Sequence, residues 1–151
     1  MRALIQRVKK GSVQVDGEII SKINQGIVLF IGIENNDDNI DIDWICKKVS
    51  QLRIFNDENN VMNKSLIDID GDILVISQFT LHALTKKGNR PSYIRAAKSE
   101  YAKKIYNEFL ELLKQKTNKD PFSGLFGADM LVKIENDGPV TIFMDSKNKS
   151  F

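Results

Sequence analysis

The sequence is poor in the residues that bind metals or cross-link chains: among its 151 residues it has one cysteine and one histidine. A lone cysteine, Cys46, excludes an internal disulfide, and one cysteine with one histidine cannot supply a four-ligand zinc site. No uninterrupted apolar run is long enough to cross a membrane, and four basic residues among the first ten argue against a signal peptide. We therefore expect a cytoplasmic protein with no membrane partner, no metal and no cofactor.

The rest of the composition is that of a folded domain. Hydrophobic residues make up 42% of the chain and charged residues 28%, which suits one core at this length. We expect a single domain over residues 1–151, with the last few residues as a short tail. The formal net charge of +2 and the pI of about 8.6 neither require nor exclude a nucleic-acid partner.

Apolar periodicity predicts strands in the first third of the chain. Apolar residues roughly alternate from Ala3 to Val15, the turn pair Asp16-Gly17 follows, and the segments EIISKI and GIVLFIGI come next. This pattern predicts a three-stranded meander. A short buried strand is predicted for DILVISQF, and two more strands for ADMLVKIE and VTIFMD, with residues 136–138 as their connection.

Two segments change to a helical period. The first helix has Asp38 or Asn39 as its N-cap and places five apolar residues on one face: Ile42, Ile45, Cys46, Val49 and Leu52. The second helix ends before Pro121, and its apolar face consists of Ala102, Ile105, Phe109, Leu112 and Leu113. The predicted fold class is α+β: two main helices against a curved, largely antiparallel sheet or an open β-barrel.

Few residues are candidates for catalysis. His82 is the only histidine, so no Ser-His-Asp or Cys-His set can be assembled, and a lone histidine is usually structural. The carboxylates fall mostly in turns and on helix exteriors, and the GxxxxGK[ST] and GxGxxG phosphate-binding motifs are absent. What remains is SQFT, residues 77–80, at the end of a buried strand. It either satisfies backbone groups where the strand stops or forms part of a site.

The segment NDGPVT, residues 136–141, has more turn-forming residues than a turn needs. Two other Asp-Gly pairs, at Asp16 and Asp70, join apolar runs without a following proline. The added Pro139 indicates that the backbone conformation at Gly138 is constrained, although a polar turn between two strands is the ordinary interpretation.

Four stretches, in this order and spacing, resemble the D-aminoacyl-tRNA deacylases: MRALIQRV from Met1, LRIFNDENNVMNKSL from Leu52, VISQFTL from Val75 and GLFGADMLVKIENDGPVT from Gly124. The likeness runs to about Asp145, and the family motifs SQ-x-x-T and N-x-GP-x-T are both intact. Between them, TKKGNRPSY resembles the family's basic RPSF-like stretch, with a tyrosine that keeps the ring. The departures touch neither motif: they are an Asn-Asn pair at 59–60 instead of an Asn-Gly turn, and the tail SKNKSF.

The resemblance implies hydrolysis of the ester bond between tRNA and a D-amino acid or glycine, without a side-chain nucleophile. In the family, the ribose 2′-hydroxyl of the terminal adenosine helps to activate water, and main-chain N–H groups near SQ-x-x-T stabilise the oxyanion. Carried over to this chain, the catalytic segment consists of Ser77, Gln78, Phe79 and Thr80. The remainder of the pocket would be lined by two side chains, Phe126 against the adenine and Met130 near the amino acid.

The resemblance also implies a role for Gly138 and Pro139. They match the family's Gly-cisPro motif, which reaches from one subunit into the site of the other, so a homodimer is implied. Two carbonyls turned to the same side by a cis bond would exclude an L-side chain at the α-carbon, whereas a hydrogen fits there. Arg7 is the expected anchor of this motif.

Two other functions stay open on the sequence. A basic tract favours a non-catalytic RNA-binding module, and its members are Lys86, Lys87, Arg90, Arg95, Lys98, Lys103 and Lys104. Alternatively, Thr80 is the nucleophile of a small-molecule hydrolase, which needs an activating base that the sequence does not identify.

Overall fold

The computed structural model describes residues 1–150. Over these residues the chain forms eight strands, two α-helices and one 3₁₀ turn. In chain order they are β1 (Arg2–Val15), β2 (Glu18–Ile23), β3 (Gly26–Gly32), α1 (Asn39–Gln51), β4 (Phe55–Asn56), β5 (Met62–Lys64), β6 (Asp72–Ser77), the 3₁₀ turn (Phe79–His82), α2 (Ser99–Thr117), β7 (Phe122–Ser123) and β8 (Leu131–Asp145).

Strand β1 organises the sheet, because its 14 residues are long enough to pair with three other strands. Its first half, Arg2–Val8, runs antiparallel to β3, and its second half, Gly11–Val15, runs antiparallel to β2. Its other edge pairs with β8. The predicted three-stranded meander is therefore wrong, because β2 and β3 do not pair with each other: both pair with the same edge of β1, end to end.

The other half of the sheet is parallel. β6 runs parallel to β3, and the short β7 runs parallel to β6. The order β2-β1-β3-β6-β7 brings β7 back toward β2, where the Ser21 hydroxyl donates a 2.8 Å hydrogen bond to the Ser123 carbonyl. The result is a mixed, nearly closed barrel with a seam between β2 and β7. The predicted fold class is confirmed, with the antiparallel pairs of this sheet gathered around β1.

The central strands β3 and β6 are buried on both faces of the sheet. One core lies between the sheet and the two helices and includes Ile5, Leu29 and Phe109. A smaller core lies on the opposite face, and its buried members are Val8, Val13, Ile23, Val28, Leu74 and Ile76. Successive side chains of a strand point to opposite faces, so β3 and β6 contribute to both cores. This burial explains why both strands are nearly continuous apolar runs.

Helix α1 begins where the sequence predicts. Asp38 is the N-cap and forms a capping box with Asp41, in which each carboxylate accepts a hydrogen bond from the other residue's backbone N–H. The predicted face is buried except for Leu52, which follows the helix and is half-buried. Burial raises the pKa of the Cys46 thiol to about 12, so this cysteine is a core residue that stays protonated.

Helix α2 also matches its prediction. Ile105, Phe109 and Leu113 are buried, and the other two predicted face residues pack partly buried at the edge of the same core. The helix ends at Thr117, and Asn118 closes it in a left-handed conformation with φ of 53°. Among residues 1–150, no helix is both long and apolar enough to span a bilayer.

The end of the chain differs from its prediction. Residues 131–145 form the single strand β8, where the sequence predicts two strands joined by a turn. The pairing steps from Gln6↔Thr141 to Val8↔Asn136, so an advance of two residues in β1 corresponds to five in β8. Residues 137–140 therefore bulge out of the ladder. Because β1 continues on both sides, the turn-forming residues interrupt the strand without ending it.

Candidate active site

The candidate site is built where β6 ends. Residues 73–76 are buried, and Ser77 is the last residue of the strand. The Gln78 N–H still donates to the Ile31 carbonyl of β3 at 2.7 Å, and the chain then enters the 3₁₀ turn Phe79–His82. The candidate catalytic segment is therefore held on one side by the buried ladder and on the other by the turn.

Two cavities share this segment as a wall. The larger, of about 380 Å³, has further walls from Tyr93, Ala97 and Phe126. The smaller, of about 260 Å³, continues toward β8 and is lined by Met130. Three residues of the segment, Ser77, Gln78 and Phe79, line both cavities, together with Gly127. The larger volume falls within the range of small-molecule sites, about 300–1,000 Å³.

Gly32 allows the turn to lie directly on β3. A Cβ at this position would lie 3.0 Å from the Gln78 carbonyl oxygen, from His82 Cδ2 and from Leu81 Cβ. Contacts that short would displace the turn from the sheet. Gly32 therefore determines where the candidate catalytic segment sits, a role that the apolar run GIVLFIGI does not indicate by itself.

The first two N–H groups of the turn are available to a ligand. Among residues 1–150, the structure provides no acceptor for the N–H groups of Phe79 and Thr80. This is expected, since the first N–H groups of a helical turn have no partner inside it. The Thr80 hydroxyl, by contrast, accepts a 2.5 Å hydrogen bond from the Gln78 side-chain amide. Phe79 lines both cavities and Thr80 lines neither, so the Phe79 N–H is the candidate donor to a group bound there.

Phe126 and Met130, the two predicted pocket residues, line separate cavities, Phe126 the larger and Met130 the smaller. The Phe126 ring lies 5.5 Å from the Tyr106 ring, whose hydroxyl donates to the Val75 carbonyl at 2.9 Å. Burial raises the pKa of Tyr106, so its hydroxyl remains a donor and gives Phe126 a fixed support. Met130 lies against Gly124, where a Cβ would be 2.5 Å from the methionine sulfur.

The wall that faces the candidate segment was not predicted as part of the site. Tyr93 contacts Phe79 edge-to-face, with ring centroids 5.0 Å apart and an interplanar angle of 74°. Arg95 Nη2 donates to the Glu34 carboxylate at 3.1 Å, and Ala96 forms a β-bridge with the same residue. The buried Glu34 therefore ties this wall to the end of β3. The one sequence signal for this wall was the ring retained at Tyr93.

Titratable side chains are scarce at the cavities. Within the described part of the chain, Asp129 is the one carboxylate that lines either cavity, and it is exposed. The only side-chain group that hydrogen-bonds the Thr80 hydroxyl in residues 1–150 is the Gln78 amide, which is not a base. No set of three or more His, Cys, Asp or Glu residues in this range is arranged to hold a metal.

His82 lies in the core beneath the turn and lines neither cavity. It is 0% exposed, and neither ring nitrogen has a hydrogen-bond partner of good geometry among residues 1–150. Its Nδ1 is 3.7 Å from Glu34 Oε1. Burial lowers the pKa of His82, with opposing contributions from the Gly32 carbonyl and Glu34, so the ring is neutral near pH 7. The structural role that the sequence favours for His82 agrees with this burial.

The bulge in β8 contains Gly138 and Pro139, both exposed, and they line neither cavity of their own chain. The peptide bond between them is cis, as predicted. The Asn136 amide donates to the carbonyls of Arg7 (3.0 Å) and Val140 (3.2 Å), which ties both ends of the bulge together. Gly138 has a φ of 115°, and a Cβ there would lie 2.9 Å from Arg7 Nη2. The bulge therefore requires glycine at this position.

Arg7 is buried beneath the bulge. Its Nε lies 3.0 Å from Asp137 Oδ2, and its Nη1 donates to the Ile54 carbonyl at 2.6 Å and to Asn56 Oδ1 at 3.3 Å. The guanidinium thus connects the bulge to the segment that follows α1. Arg7 thus contacts the residue that precedes Gly138, and its role as the anchor of the motif stays a prediction.

Known proteins resemble this chain over nearly its full length. The family described as D-Tyr-tRNA(Tyr) deacylase matches residues 4–145. D-aminoacyl-tRNA deacylases from Christiangramia forsetii and Bacteroides fragilis are 54% and 56% identical to it over 149 residues, which cover 99% of each chain.

Two solved structures share the fold. One, described as the c-Myc DNA Unwinding Element Binding Protein, has a TM-score of 0.90 and 41% identity, covering 96% of this chain and 98% of its own. The other, described as a probable eukaryotic D-amino acid tRNA deacylase, has a TM-score of 0.77 and 17% identity, covering 95% and 97%, and shows likeness of fold alone. Because the family match and the relatives above 50% identity span almost the whole sequence, this chain belongs to the D-aminoacyl-tRNA deacylase family.

Proposed function

We propose that this protein hydrolyses the ester bond of D-aminoacyl-tRNA in the cytoplasm and releases free D-amino acid and tRNA. The observation that carries the proposal is the wall shared by both cavities, where the Phe79 N–H has no acceptor among the described residues. Acyl transfer develops negative charge on the carbonyl oxygen, and each positioned donor contributes roughly 2.7–4 kcal/mol to its transition state. Family membership supplies the substrate class, aminoacyl-tRNA.

The nucleophile in this proposal is water. The ribose 2′-hydroxyl of the terminal adenosine helps to activate the water, which adds to the ester carbonyl carbon. The N–H groups of Phe79 and Thr80 bind the carbonyl oxygen as it becomes an oxyanion. The bond to the ribose 3′-oxygen then breaks, and that oxygen leaves with the proton lost by the water. This route fits a site whose lining has one exposed carboxylate and no histidine in the described residues.

The two cavities divide the substrate between them. The larger cavity takes the terminal adenosine, whose base stacks on Phe126, since aromatic rings bind bases through their faces. The smaller cavity lies beside Met130 and takes the aminoacyl group near the ester. Ser77, Gln78 and Phe79 line both cavities and therefore stand at the junction, where the ester lies.

Chiral selection requires a second subunit in this proposal. Gly138 and Pro139 are exposed and do not line the cavities of their own chain, which supports a role in the site of a homodimer partner. There, the two main-chain carbonyls occupy the space into which an L-side chain would project. D-aminoacyl groups are accepted because their side chain points away, and glycyl groups because they have none.

Hydrolysis of matched D-, L- and glycyl-tRNA tests the function directly. We expect rapid release of the D-amino acid, slower release of glycine and no release of the L-amino acid. A substrate with a 2′-deoxy terminal adenosine should react roughly 10²–10⁴-fold more slowly, the usual contribution of acid-base catalysis. Binding of tRNA without turnover would instead establish the RNA-binding module, and a trapped acyl-Thr80 would establish the threonine hydrolase.

Mixed dimers test the role of the second subunit. Subunits with Gly138→Ala lack the motif, and subunits with Gly32→Ala have a displaced catalytic wall, so each homodimer should have low activity. If the motif acts on the partner's site, mixing the two variants under exchange restores activity, because each mixed dimer has one intact site. If the motif acts within its own chain, mixing restores nothing.

A further inference from the structure

The charge of the chain is distributed unevenly near the candidate site. The whole sequence has 22 Lys and Arg against 20 Asp and Glu, yet Ile73 to Ser99 contains five basic residues and no carboxylate. Three of the five, Lys86, Lys87 and Arg90, fall within residues 85–91. A local excess of one charge in a chain that is nearly neutral overall indicates a polyanionic partner for that region.

Residues 85–91 form a hairpin, which we call the basic hairpin. Leu84 and Ser92 close it through two main-chain hydrogen bonds of 2.8 and 3.0 Å. Gly88 has a φ of 68°, which lets the chain reverse at the tip. All seven residues are exposed, so the three basic side chains are presented to solvent.

The three basic side chains form no polar contact with the described residues. Within residues 1–150, the structure gives Lys86, Lys87 and Arg90 no ion pair and no hydrogen bond. The next basic residue, Arg95, is already paired with the Glu34 carboxylate. The hairpin charges therefore do not stabilise the fold and remain free for an external anion.

The hairpin stands at the rim of the larger cavity. Its closing residue Ser92 directly precedes Tyr93, which lines that cavity and contacts Phe79. Arg90 is three residues from Tyr93, so at most about 11 Å of chain separates them. In a tRNA whose terminal adenosine occupies the cavity, the chain on the 5′ side of that adenosine carries one negatively charged phosphate per nucleotide. This part of the chain must pass over the rim of the cavity.

We propose that the basic hairpin binds the phosphates of the single-stranded 3′ end of tRNA, next to the terminal adenosine; this inference rests on the proposed function. Arg90 provides a planar fork that matches a phosphate, and the two lysines provide mobile point charges. Contacts of this kind carry no sequence information. They therefore suit an enzyme that must accept tRNAs of many sequences.

The test compares two triple variants of the full-length chain with the wild type. The hairpin variant carries Lys86→Ala, Lys87→Ala and Arg90→Ala. The control carries Lys10→Ala, Lys22→Ala and Lys133→Ala, which remove the same charge from exposed positions that line neither cavity of the site. Each protein is assayed for kcat/KM on D-aminoacyl-tRNA over a range of salt concentrations, and for its affinity for uncharged tRNA.

We expect the hairpin variant to lose roughly 10- to 100-fold in kcat/KM through KM, with kcat retained at saturation. The slope of log(kcat/KM) against log[salt] should become shallower by about 2, because each single-strand phosphate contact contributes about 0.7. The control should stay within about twofold of the wild type. On D-aminoacyl-adenosine, which has no phosphate, all three proteins should react equally.

Each contrary result has a distinct meaning. Equal losses in the two triple variants would show a general effect of net charge and overturn the inference. A loss on D-aminoacyl-adenosine would show that the hairpin shapes the cavity wall, which also overturns it. If the wild type hydrolyses D-aminoacyl-tRNA and the hairpin variant keeps its KM and salt slope, only this inference fails. If the wild type hydrolyses neither substrate, the proposed function fails. In that case, unchanged tRNA affinity in the hairpin variant would still refute phosphate binding by the basic hairpin.

Discussion

The two segments that carry the family motifs are held in place by different kinds of contact. The segment after β6 is held by main chain: the Gln78 N–H bonds to the Ile31 carbonyl, and the turn lies on Gly32. The bulge in β8 is held by side chains, the guanidinium of Arg7 below and the amide of Asn136 across its ends. The candidate catalytic segment should therefore tolerate changes to its own side chains, whereas the bulge should depend on its buried arginine.

Replacement of Arg7 should have the largest effect. Arg7→Ala leaves the buried Ile54 carbonyl without its donor, which costs about 1–3 kcal/mol, and also removes the ion pair of the half-buried Asp137 carboxylate. We expect the free energy of unfolding to fall by about 3 kcal/mol in urea titrations, with loss of D-activity or of L-rejection. Arg7→Lys keeps the charge without the fork and should be intermediate. Unchanged stability in Arg7→Ala would show that the bulge does not depend on this side chain, which contradicts the difference described between the two segments.

Gly32→Ala tests the main-chain side of the contrast. The added Cβ would shift the turn by a few tenths of an ångström, so we expect kcat/KM for D-aminoacyl-tRNA to fall by roughly 10-fold, less than the 10²-fold cost of a misplacement near 1 Å. The matched control is Gly11→Ala, whose Cβ would meet the Val28 and Ile23 side chains inside the barrel. Both should lose about 1–3 kcal/mol of stability through overpacking. Equal activities for the two variants would show that the position of the turn is unimportant.

The buried ring of His82 should make the turn sensitive to acid. Burial lowers the pKa of His82 below the 6.5 of an exposed ring, so the unfolded chain takes up a proton more readily than the folded one. The contribution of His82 to stability is thus fully present above about pH 6.5 and is lost as the pH falls toward its folded pKa. We expect the loss of unfolding free energy between about pH 7.5 and pH 5.5 to be smaller in His82→Gln. If His82→Gln and the wild type lose stability equally over this pH range, protonation of His82 is not the source of the acid sensitivity.

Thr80→Ala should have a modest effect, because the substitution removes the hydroxyl that accepts from Gln78 and leaves the main-chain N–H in place. We expect a loss in kcat of less than about tenfold, below the 10²–10³ that follows removal of an oxyanion donor. Single-turnover assays on D-aminoacyl-tRNA measure this directly. An inactive but folded Thr80→Ala would favour the hydroxyl as the nucleophile.

Asp129→Asn should have the smallest effect. Asp129 is exposed, and the proposed mechanism assigns it no proton transfer. We expect kcat/KM to stay within about threefold of the wild type, whereas removal of a general base would cost roughly 10²–10⁴-fold. A 10²–10⁴-fold loss of kcat/KM would indicate that this carboxylate, and not the ribose hydroxyl, activates the water.

The sequence by itself determined the features that depend on near neighbours. The N-cap at Asp38 and the apolar faces of both helices were predicted, because caps and helical faces arise within one or two turns. The buried strand at residues 72–77 followed from its β-branched run. The family also followed from sequence, since its two motifs are short and contiguous.

Tertiary structure decided which strands meet and what surrounds the motifs. The turn residues at 136–139 show only that the chain leaves a regular path; β8 resumes after them because β1 is long enough to supply pairing partners on both sides. In the same way, Tyr93 lines a cavity beside Phe79, and Arg95 is paired with Glu34, which lies 61 residues earlier in the chain. Contacts between residues so distant in sequence depend on how complete elements pack together, and local pattern contains no information about that packing.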